Sequence, residues 1–490
     1  MTELEKYFQP FRENTVGIDQ QFLTPYGKKK IIYADWIASG RLYQPIEDKI
    51  ARTFGPFVGN THTETSVTGT TMTAAYHFAH SYIKEHVNAG PDDVIMTPGF
   101  GMTAAINKFQ RILGLRVPEG FKDSIRLPEN KRPVVFVTHM EHHSNQISWQ
   151  ETIADVVVIP PNKDGVVDLN IVEDYIKKYK NREQKFGAFS ACSNVTGIQT
   201  PYHQLASLMH QYDGYCFIDF AASAPYVEIN MHPDNPEERL DAIFFSPHKF
   251  LGGPGASGVL ICNAEFCKKN KIPDHPGGGT VDWTDPWGGV KYMENIEMRE
   301  DGGTPGFLQA MRTALTIKLK EKMNPSQMLK REEELLAIAF RELRKIPGIQ
   351  ILADNVEHRL GVVSFYFKDI HYNLIVKLLN DRFGVQVRGG CLCAGTYGHF
   401  LLNLTPEESR RLTALLDSGD WSQKPGWVRL SIHPTMTDEE LLLVIDALKE
   451  IVKNHVKWGE EYRYDKRVNE FYHKQFKDEL RENVPEWFEL

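Results

Sequence analysis

Seven short apolar runs, each followed by a longer polar or amphipathic stretch, dominate residues 90 to 265. They read VIMT (94–97), PVVFVT (133–138), DVVVIP (155–160), FGAFSA (186–191), YCFIDF (215–220), AIFFS (242–246) and SGVLIC (257–262). They do not alternate apolar with polar, as a strand with one wet face would. Continuous runs of this length predict strands buried on both faces, which belong to a mostly parallel sheet covered by helices. The fold class is therefore α/β.

After residue 305 the pattern changes. PSQMLKREEELLAIAFRELRKI (325–346) predicts a strongly amphipathic helix. RLGVVSFYF (359–367), VQVR (385–388) and WVRLSI (427–432) predict strands between helices. Two helices announce their starts: Thr405 with Glu408, and Thr437 with Glu440, have capping-box spacing. The expected organisation is an N-terminal arm (1–30), a large α/β domain (31–305), a smaller α+β domain (306–454) and a helical extension (455–490).

Composition narrows the function classes. The chain has 490 residues, 41 % of them hydrophobic, and a net charge of −8. It has no long basic block, so nucleic acid is not an expected partner. No run reaches the roughly 18 apolar residues that a membrane helix needs. The N-terminus, MTELEKYFQPFREN, has no apolar core of a secretory signal. Six cysteines in a chain this long predict no disulfide framework, and a reducing, cytoplasmic setting is expected. No metal site is expected.

In open α/β sheets, ligands bind beyond the carboxyl ends of the strands. The expected strand ends carry reactive residues. After 94–97 comes PGFGMTAAIN, with Gly101, Met102 and Thr103 opening a helix. After 133–138 comes HMEHHSN, with His142. After 186–191 comes CSNVTG, with Asn194. Asp219 ends the run YCFID. SPHK follows AIFF, inside FFSPHKFLGGPGASG (244–258). Taken singly, each has a plain alternative. The glycine loop could be a tight turn, Asp219 an internal ion pair, Lys249 a loop lysine, His142 a structural histidine and Asn194 a turn residue. Together they match the needs of pyridoxal phosphate (PLP). These are a helix N-terminus for the phosphate, an acid for the ring nitrogen, a planar histidine and an imine-forming lysine.

EHHSN (141–145), SNVTG (193–197), the Asp219 strand and SPHK (246–249) resemble the class V aminotransferases, within the fold-type I PLP-dependent enzymes. The likeness is to the group II cysteine desulfurases and selenocysteine lyases, as a divergent member. It begins at YADWIASGRL near Tyr33 and runs to about Ile445. It implies a seven-stranded, mostly parallel sheet in a large domain, with a smaller α+β domain. It implies that Lys249 forms the imine and moves the α-proton, that Asp219 holds the pyridine nitrogen, and that His142 stacks on the ring. It further implies Asn194 on the phenolic oxygen and Gly101, Met102, Thr103, Ser246 and His248 around the phosphate. EDGGTPG (300–306) would place Thr304 at the phosphate of a second subunit, making a homodimer with shared sites.

VRGGCLCAG (387–395) resembles the loop that carries the family's nucleophilic cysteine, which aligns with Cys393. Arg388 aligns with the motif arginine, and Arg429 in WVRLSIHPTMTDEE (427–440) would hold the substrate carboxylate. The implied reaction is Cβ–S or Cβ–Se cleavage of a small amino acid, cysteine or a relative. Sulfur would pass to Cys393 as a persulfide, alanine would leave, and an acceptor protein would take the sulfur. Cys391 could resolve the persulfide. Ala222 stands where the family has a glutamine at the cofactor. The open alternatives are transamination, epimerisation, C–S cleavage without the cysteine, and a non-catalytic binding protein on the same fold.

Overall fold

The computed structural model describes residues 1–99, 101–122, 124–268, 272–391 and 393–490. The chain divides into two compact units. One comprises Ser39–Ser193 and Gln199–Ser326; the other comprises Met1–Ala38, Asn194–Ile198 and Gln327–Leu490.

The first unit contains every one of the seven apolar runs as a strand of one sheet. They are β1 (Asp93–Met96), β2 (Val134–Thr138), β3 (Asp155–Ile159), β4 (Lys185–Ser190), β5 (Tyr215–Asp219), β6 (Ala242–Phe245) and β7 (Val259–Asn263). Their order is β1-β7-β6-β5-β4-β2-β3. From β3 to β6 the neighbours are parallel; β7 runs antiparallel to both β1 and β6. All residues of β2, β4 and β6 are buried, which is why these strands read as unbroken apolar runs. The core is aromatic. Phe109, on the helix Gly101–Ile112, meets Phe217 edge-to-face at 4.9 Å and Phe266 at 5.4 Å. Each buried phenylalanine stabilises the unit by about 1.5–3 kcal/mol. No helix among the described residues is long and apolar enough to cross a membrane.

The second unit has a four-stranded antiparallel sheet. Its strands are β8 (Ile349–Ile351), β9 (Val362–Phe367), β10 (Arg388–Gly390) and β11 (Trp427–Ser431), in the order β8-β9-β11-β10. The helices Pro325–Leu343 and Asp438–Gly459 give it a core: Leu335, Ala339 and Leu343 from one, Leu441, Ile445 and Leu448 from the other, with Val428 and Leu430 of β11. Both capping boxes form, at Thr405/Glu408 and Thr437/Glu440. The N-terminal helix Glu3–Glu13 belongs to this unit, where Arg12 pairs with Glu440 at 2.8 Å.

The tail departs from the helical expectation. The helix continues only to Gly459, and an antiparallel hairpin follows: β12 (Tyr462–Asp465) with β13 (Glu470–His473). Asn469 turns it with φ +58° and donates from Nδ2 to the Tyr372 hydroxyl at 2.6 Å.

Candidate active site

Within the sheet unit, the strand-end residues gather around one loop crossing. Gly101 starts its helix with φ +66°, a conformation glycine adopts without strain. A Cβ there would also lie 2.9 Å from Ser246 Oγ. The next residue uses that hydroxyl: the Met102 N–H donates to Ser246 Oγ at 2.8 Å. Thr103 Oγ1 is 2.7 Å from Ser144 Oγ, and the Ser144 N–H donates to His142 Nδ1 at 3.1 Å. His142 thus caps the helix His143–Gln150 with its ring. Phosphate-loop and histidine-loop candidates are therefore linked through Ser144, a residue the sequence did not single out. Phe100 of the glycine loop lies outside the described residues, as does Leu392 of the cysteine loop.

Lys249 closes a short 3-10 turn, Pro247–Lys249, immediately after β6. A Cβ at Gly253 would sit on the Pro247 carbonyl oxygen, so the glycine-rich stretch is what lets the chain fold back beside the lysine. Burial first, and the Lys249 charge second, push His248 down to about 4. His248 is thus a neutral hydrogen-bonding group at neutral pH.

Asp219 is 4 % exposed at the carboxyl end of β5 and accepts from the Ala221 N–H at 2.8 Å. Burial pushes its carboxyl up to about 7; the Ala221 hydrogen bond and the Lys249 charge oppose the rise, and Glu141 adds to it. A buried acid in this state gains from a cationic N–H donor. Ala222 is buried three residues on and offers no polar side-chain atom.

Glu141 is another residue that sequence reasoning missed. It is fully buried beside His142 and accepts from the Thr138 N–H and hydroxyl, the Ser190 N–H and hydroxyl, and Asn145 Nδ2. It ties the ends of β2 and β4 to the histidine turn. Its presence inside EHHSN was the available signal: a glutamate in an otherwise buried turn requires partners.

The residues fit the cofactor that the sequence implies. At the helix N-terminus, Gly101 leaves a space beside Ser246 and His248 that a side chain there would fill, and helix N-termini of this kind suit a phosphate. Asp219 suits a protonated ring nitrogen. Near this loop, a cavity of about 560 Å³ is lined by Pro98, Gly99, Thr103, Asn107, Lys108 and Pro305, among others. Neither Asp219 nor Lys249 is among its described lining residues. The turn with Thr304 borders it. Glu300 anchors that turn through Lys108 Nζ at 2.9 Å, and Thr304 itself is exposed.

In the other unit, Arg388 and Arg429 are register partners on β10 and β11. Asp35 bridges them: Oδ1 accepts from Arg429 Nη2 at 2.7 Å, and Oδ2 from Arg388 Nε at 3.0 Å. Arg429 also donates from Nη1 to the Asn194 carbonyl at 3.1 Å. Arg429 is 3 % exposed, whereas more than half of the Arg388 side chain is open to solvent. The structure thus brings together both predicted arginines and Asn194, with Asp35 added. Cys393 is exposed and has φ +57°, a strained conformation for a residue with a side chain. Cys391 is largely buried, its thiol donating to the Pro425 carbonyl at 2.7 Å. All six cysteines are free thiols.

Comparison with known proteins bears on the family and the fold. A profile of the family described as "Aminotransferase class-V" matches residues 32–444. A probable cysteine desulfurase of Staphylococcus aureus (strain Mu50) is 29 % identical over 372 residues, 75 % of this chain and 84 % of that protein. Another, from Halalkalibacterium halodurans, is 28 % identical over 369 residues, 74 % of this chain and 84 % of that one. Among solved structures, the apo cysteine desulfurase of Thermococcus onnurineus NA1 matches with a TM-score of 0.72 at 21 % identity, covering 91 % of this chain and 98 % of that chain. The Escherichia coli cysteine desulfurase in its S-sulfonic acid form matches with a TM-score of 0.69 at 20 % identity, with the same coverages of 91 % and 98 %. These structural matches establish the fold expected from the sequence.

Proposed function

The chain belongs to the class V aminotransferase family, and from that premise we propose that it is a PLP-dependent Cβ–S lyase that takes sulfur from L-cysteine or a close relative. PLP, when bound, supplies an electron sink for carbanion chemistry at the amino-acid Cα. Lys249 provides the amine that anchors it and moves the proton at Cα. Asp219 holds the ring nitrogen, His142 lies against the ring, and Asn194 hydrogen-bonds the phenolic oxygen in place of the side chain that Ala222 lacks. Met102, Thr103, Ser246 and His248 hold the phosphate. Arg429 and Arg388 receive the substrate carboxylate, as a planar guanidinium does best.

Cys393 carries the choice of reaction class. Its thiolate takes the substrate sulfur: the new S–S bond forms as the Cβ–S bond breaks, the electron pair stays with carbon, and protonation gives alanine. The observation behind this role is that Cys393 is the exposed cysteine of the six, in a loop with a strained backbone. Nucleophilic cysteines need that access. Thr304, exposed in its turn, serves the phosphate site of a second copy in this reading, and the persulfide passes to an acceptor.

The test is turnover of L-cysteine by the holoenzyme, with alanine and sulfide measured in the presence of a thiol reductant. Both products are expected. In Cys393→Ala both disappear while the visible absorption of the cofactor persists. Unchanged turnover in that variant would remove the persulfide step, and a keto acid product would move the reading to transamination.

A further inference from the structure

Two buried carboxyl groups serve the ends of neighbouring strands in the sheet unit. Asp219 ends β5, and Glu141 accepts from Ser190, which ends β4. Ser190 and Asp219 are register partners, and the Ala191 N–H donates to the Asp219 carbonyl at 2.9 Å. Neither acid is open to solvent: Glu141 is 0 % exposed and Asp219 4 %. When two buried carboxyl groups are this closely linked, one ionises first and the other keeps its proton.

The hydrogen bonds decide which. Glu141 Oε1 accepts from the Thr138 N–H at 3.1 Å, the Thr138 hydroxyl at 2.7 Å and the Ser190 N–H at 3.1 Å. Oε2 accepts from the Ser190 hydroxyl at 2.6 Å and from Asn145 Nδ2 at 2.7 Å. A carboxylate has about four acceptor sites, so these donors fill it. The N–H donors cannot turn round to accept a proton. Asn145 is fixed in this sense, because Nδ2 also donates to the Ala188 carbonyl at 3.1 Å and Oδ1 accepts from Trp149 Nε1 at 3.4 Å. Burial pushes the Glu141 carboxyl up, and its hydrogen bonds oppose the rise. Asp219 accepts from the Ala221 N–H at 2.8 Å. The charged groups that act on it are Lys249, which favours its ionised form, and Glu141, which opposes that form. The donors therefore place the charge on Glu141 and the proton on Asp219.

We infer that Glu141 is a positioning residue for the cofactor's ring nitrogen: as a buried, ionised charge it holds a proton at Asp219 in the cofactor-free protein, and between Asp219 and the ring nitrogen when PLP is bound. The inference rests on the reading of Asp219 as the partner of that nitrogen. The ring then meets an acid that already carries the proton, backed by a fixed negative charge. That charge favours the proton at either atom, so the ring nitrogen stays cationic over a wider pH range. Glu141 acts through Asp219 and touches neither cofactor nor substrate.

Infrared difference spectra of the cofactor-free protein, grown with isotope-labelled aspartate, follow the protonated Asp219 carboxyl as pH rises. The band is identified by its absence in Asp219→Asn. In the wild type its midpoint is expected at about 7. In Glu141→Gln the midpoint falls by about one pH unit, the scale of one charge acting over roughly 10 Å at an effective dielectric constant near 20. Glu141→Asp keeps the charge and keeps the midpoint, whereas a loss of packing alone would move both variants together. A midpoint unchanged in Glu141→Gln, or shifted equally in Glu141→Asp, overturns the inference.

Should Glu141→Gln fail to fold, glutamate labelling decides. Glu332, whose carboxyl burial pushes up to about 8, is first removed as Glu332→Gln. Absence of a protonated glutamate band at about pH 7 then supports the inference, and a remaining band overturns it. The holoenzyme reports separately on Asp219. With an isotope-labelled ring nitrogen in PLP, magnetic resonance is expected to show that nitrogen protonated in the wild type and unprotonated in Asp219→Asn at about pH 8. If Asp219→Asn keeps that proton, the reading of Asp219 fails, and the inference with it. A failure of the infrared shift alone overturns the inference and leaves the reading standing.

Discussion

Met102 donates its backbone N–H to the Ser246 hydroxyl at 2.8 Å, joining the helix that follows β1 to the strand end that leads into Lys249. The contact exists because Gly101 has no side chain: its φ is +66°, and a Cβ would lie 2.9 Å from the same hydroxyl. The two loops that carry the phosphate candidates are thus built around one missing methyl group.

Gly101→Ala is expected to destabilise the cofactor-free protein by about 1–2 kcal/mol, the cost of the left-handed backbone for a residue with a Cβ. It should also weaken PLP binding about tenfold or more, since one well-aligned N–H contact is worth that much. Thermal unfolding of the cofactor-free protein and an absorbance titration with PLP check both parts.

Asp219 gives a pH dependence whose sign can be worked out. Its carboxyl, ordinarily near 3.8, is pushed up to about 7 in the fold, chiefly by burial. The folded state therefore holds the proton more tightly than the unfolded one. The contribution of Asp219 is fully present below about pH 4 and is lost as pH rises toward 7. Asp219→Asn lacks this loss. In the cofactor-free protein, the variant should gain on the wild type by roughly 1–4 kcal/mol between about pH 4 and pH 8. Urea unfolding at both ends of that range measures it. The same variant should bind PLP more weakly, having lost the partner of the ring nitrogen.

Glu141 predicts an asymmetry between two substitutions. Glu141→Ala leaves its buried donors on Thr138, Asn145 and Ser190 without an acceptor, at a cost of about 3–5 kcal/mol. Glu141→Gln keeps one acceptor oxygen and should cost about 1–3 kcal/mol. Denaturant midpoints of the cofactor-free variants decide. Equal, small effects would show that the Glu141 network contributes little.

The cysteines should separate by rate of alkylation. Cys393 is exposed, Cys391 is largely buried with its thiol raised by that burial, and the other four are buried. Iodoacetamide on the native protein is expected to label Cys393 at least about tenfold faster than any other thiol, since only an accessible thiolate reacts. Peptide mass spectrometry gives the order. Cys391→Ser should leave stability within about 1 kcal/mol, because a hydroxyl can donate to the Pro425 carbonyl in the thiol's place.

The sheet was legible because its strands are buried on both faces, so burial itself wrote the apolar runs. The capping boxes were legible because they need only three residues of local sequence. Asp35 was not legible as a charge partner. It sits in the quoted stretch YADWIASGRL, yet its role depends on Arg388 and Arg429, more than 350 positions away. Glu141 was hidden similarly, since Ser190 reaches it from another strand. The hairpin after Gly459 defeated the helical expectation because its strands are short and only partly buried. Charged and aromatic residues there follow no apolar period, and the left-handed turn at Asn469 carries no glycine to mark it.

The division of the chain also bears on the order of events at synthesis. The second unit includes the first 38 residues, the pentapeptide Asn194–Ile198 and everything from Gln327 onward. Within this sequence, Ala34 must wait for some 400 further residues before it can meet Ser431. Pairings this distant in sequence form late and slowly. A nascent chain released early would carry an orphaned leading segment with Ile32 and Trp36, both buried in the finished fold, open to solvent. Exposed apolar surface of that kind is prone to aggregation.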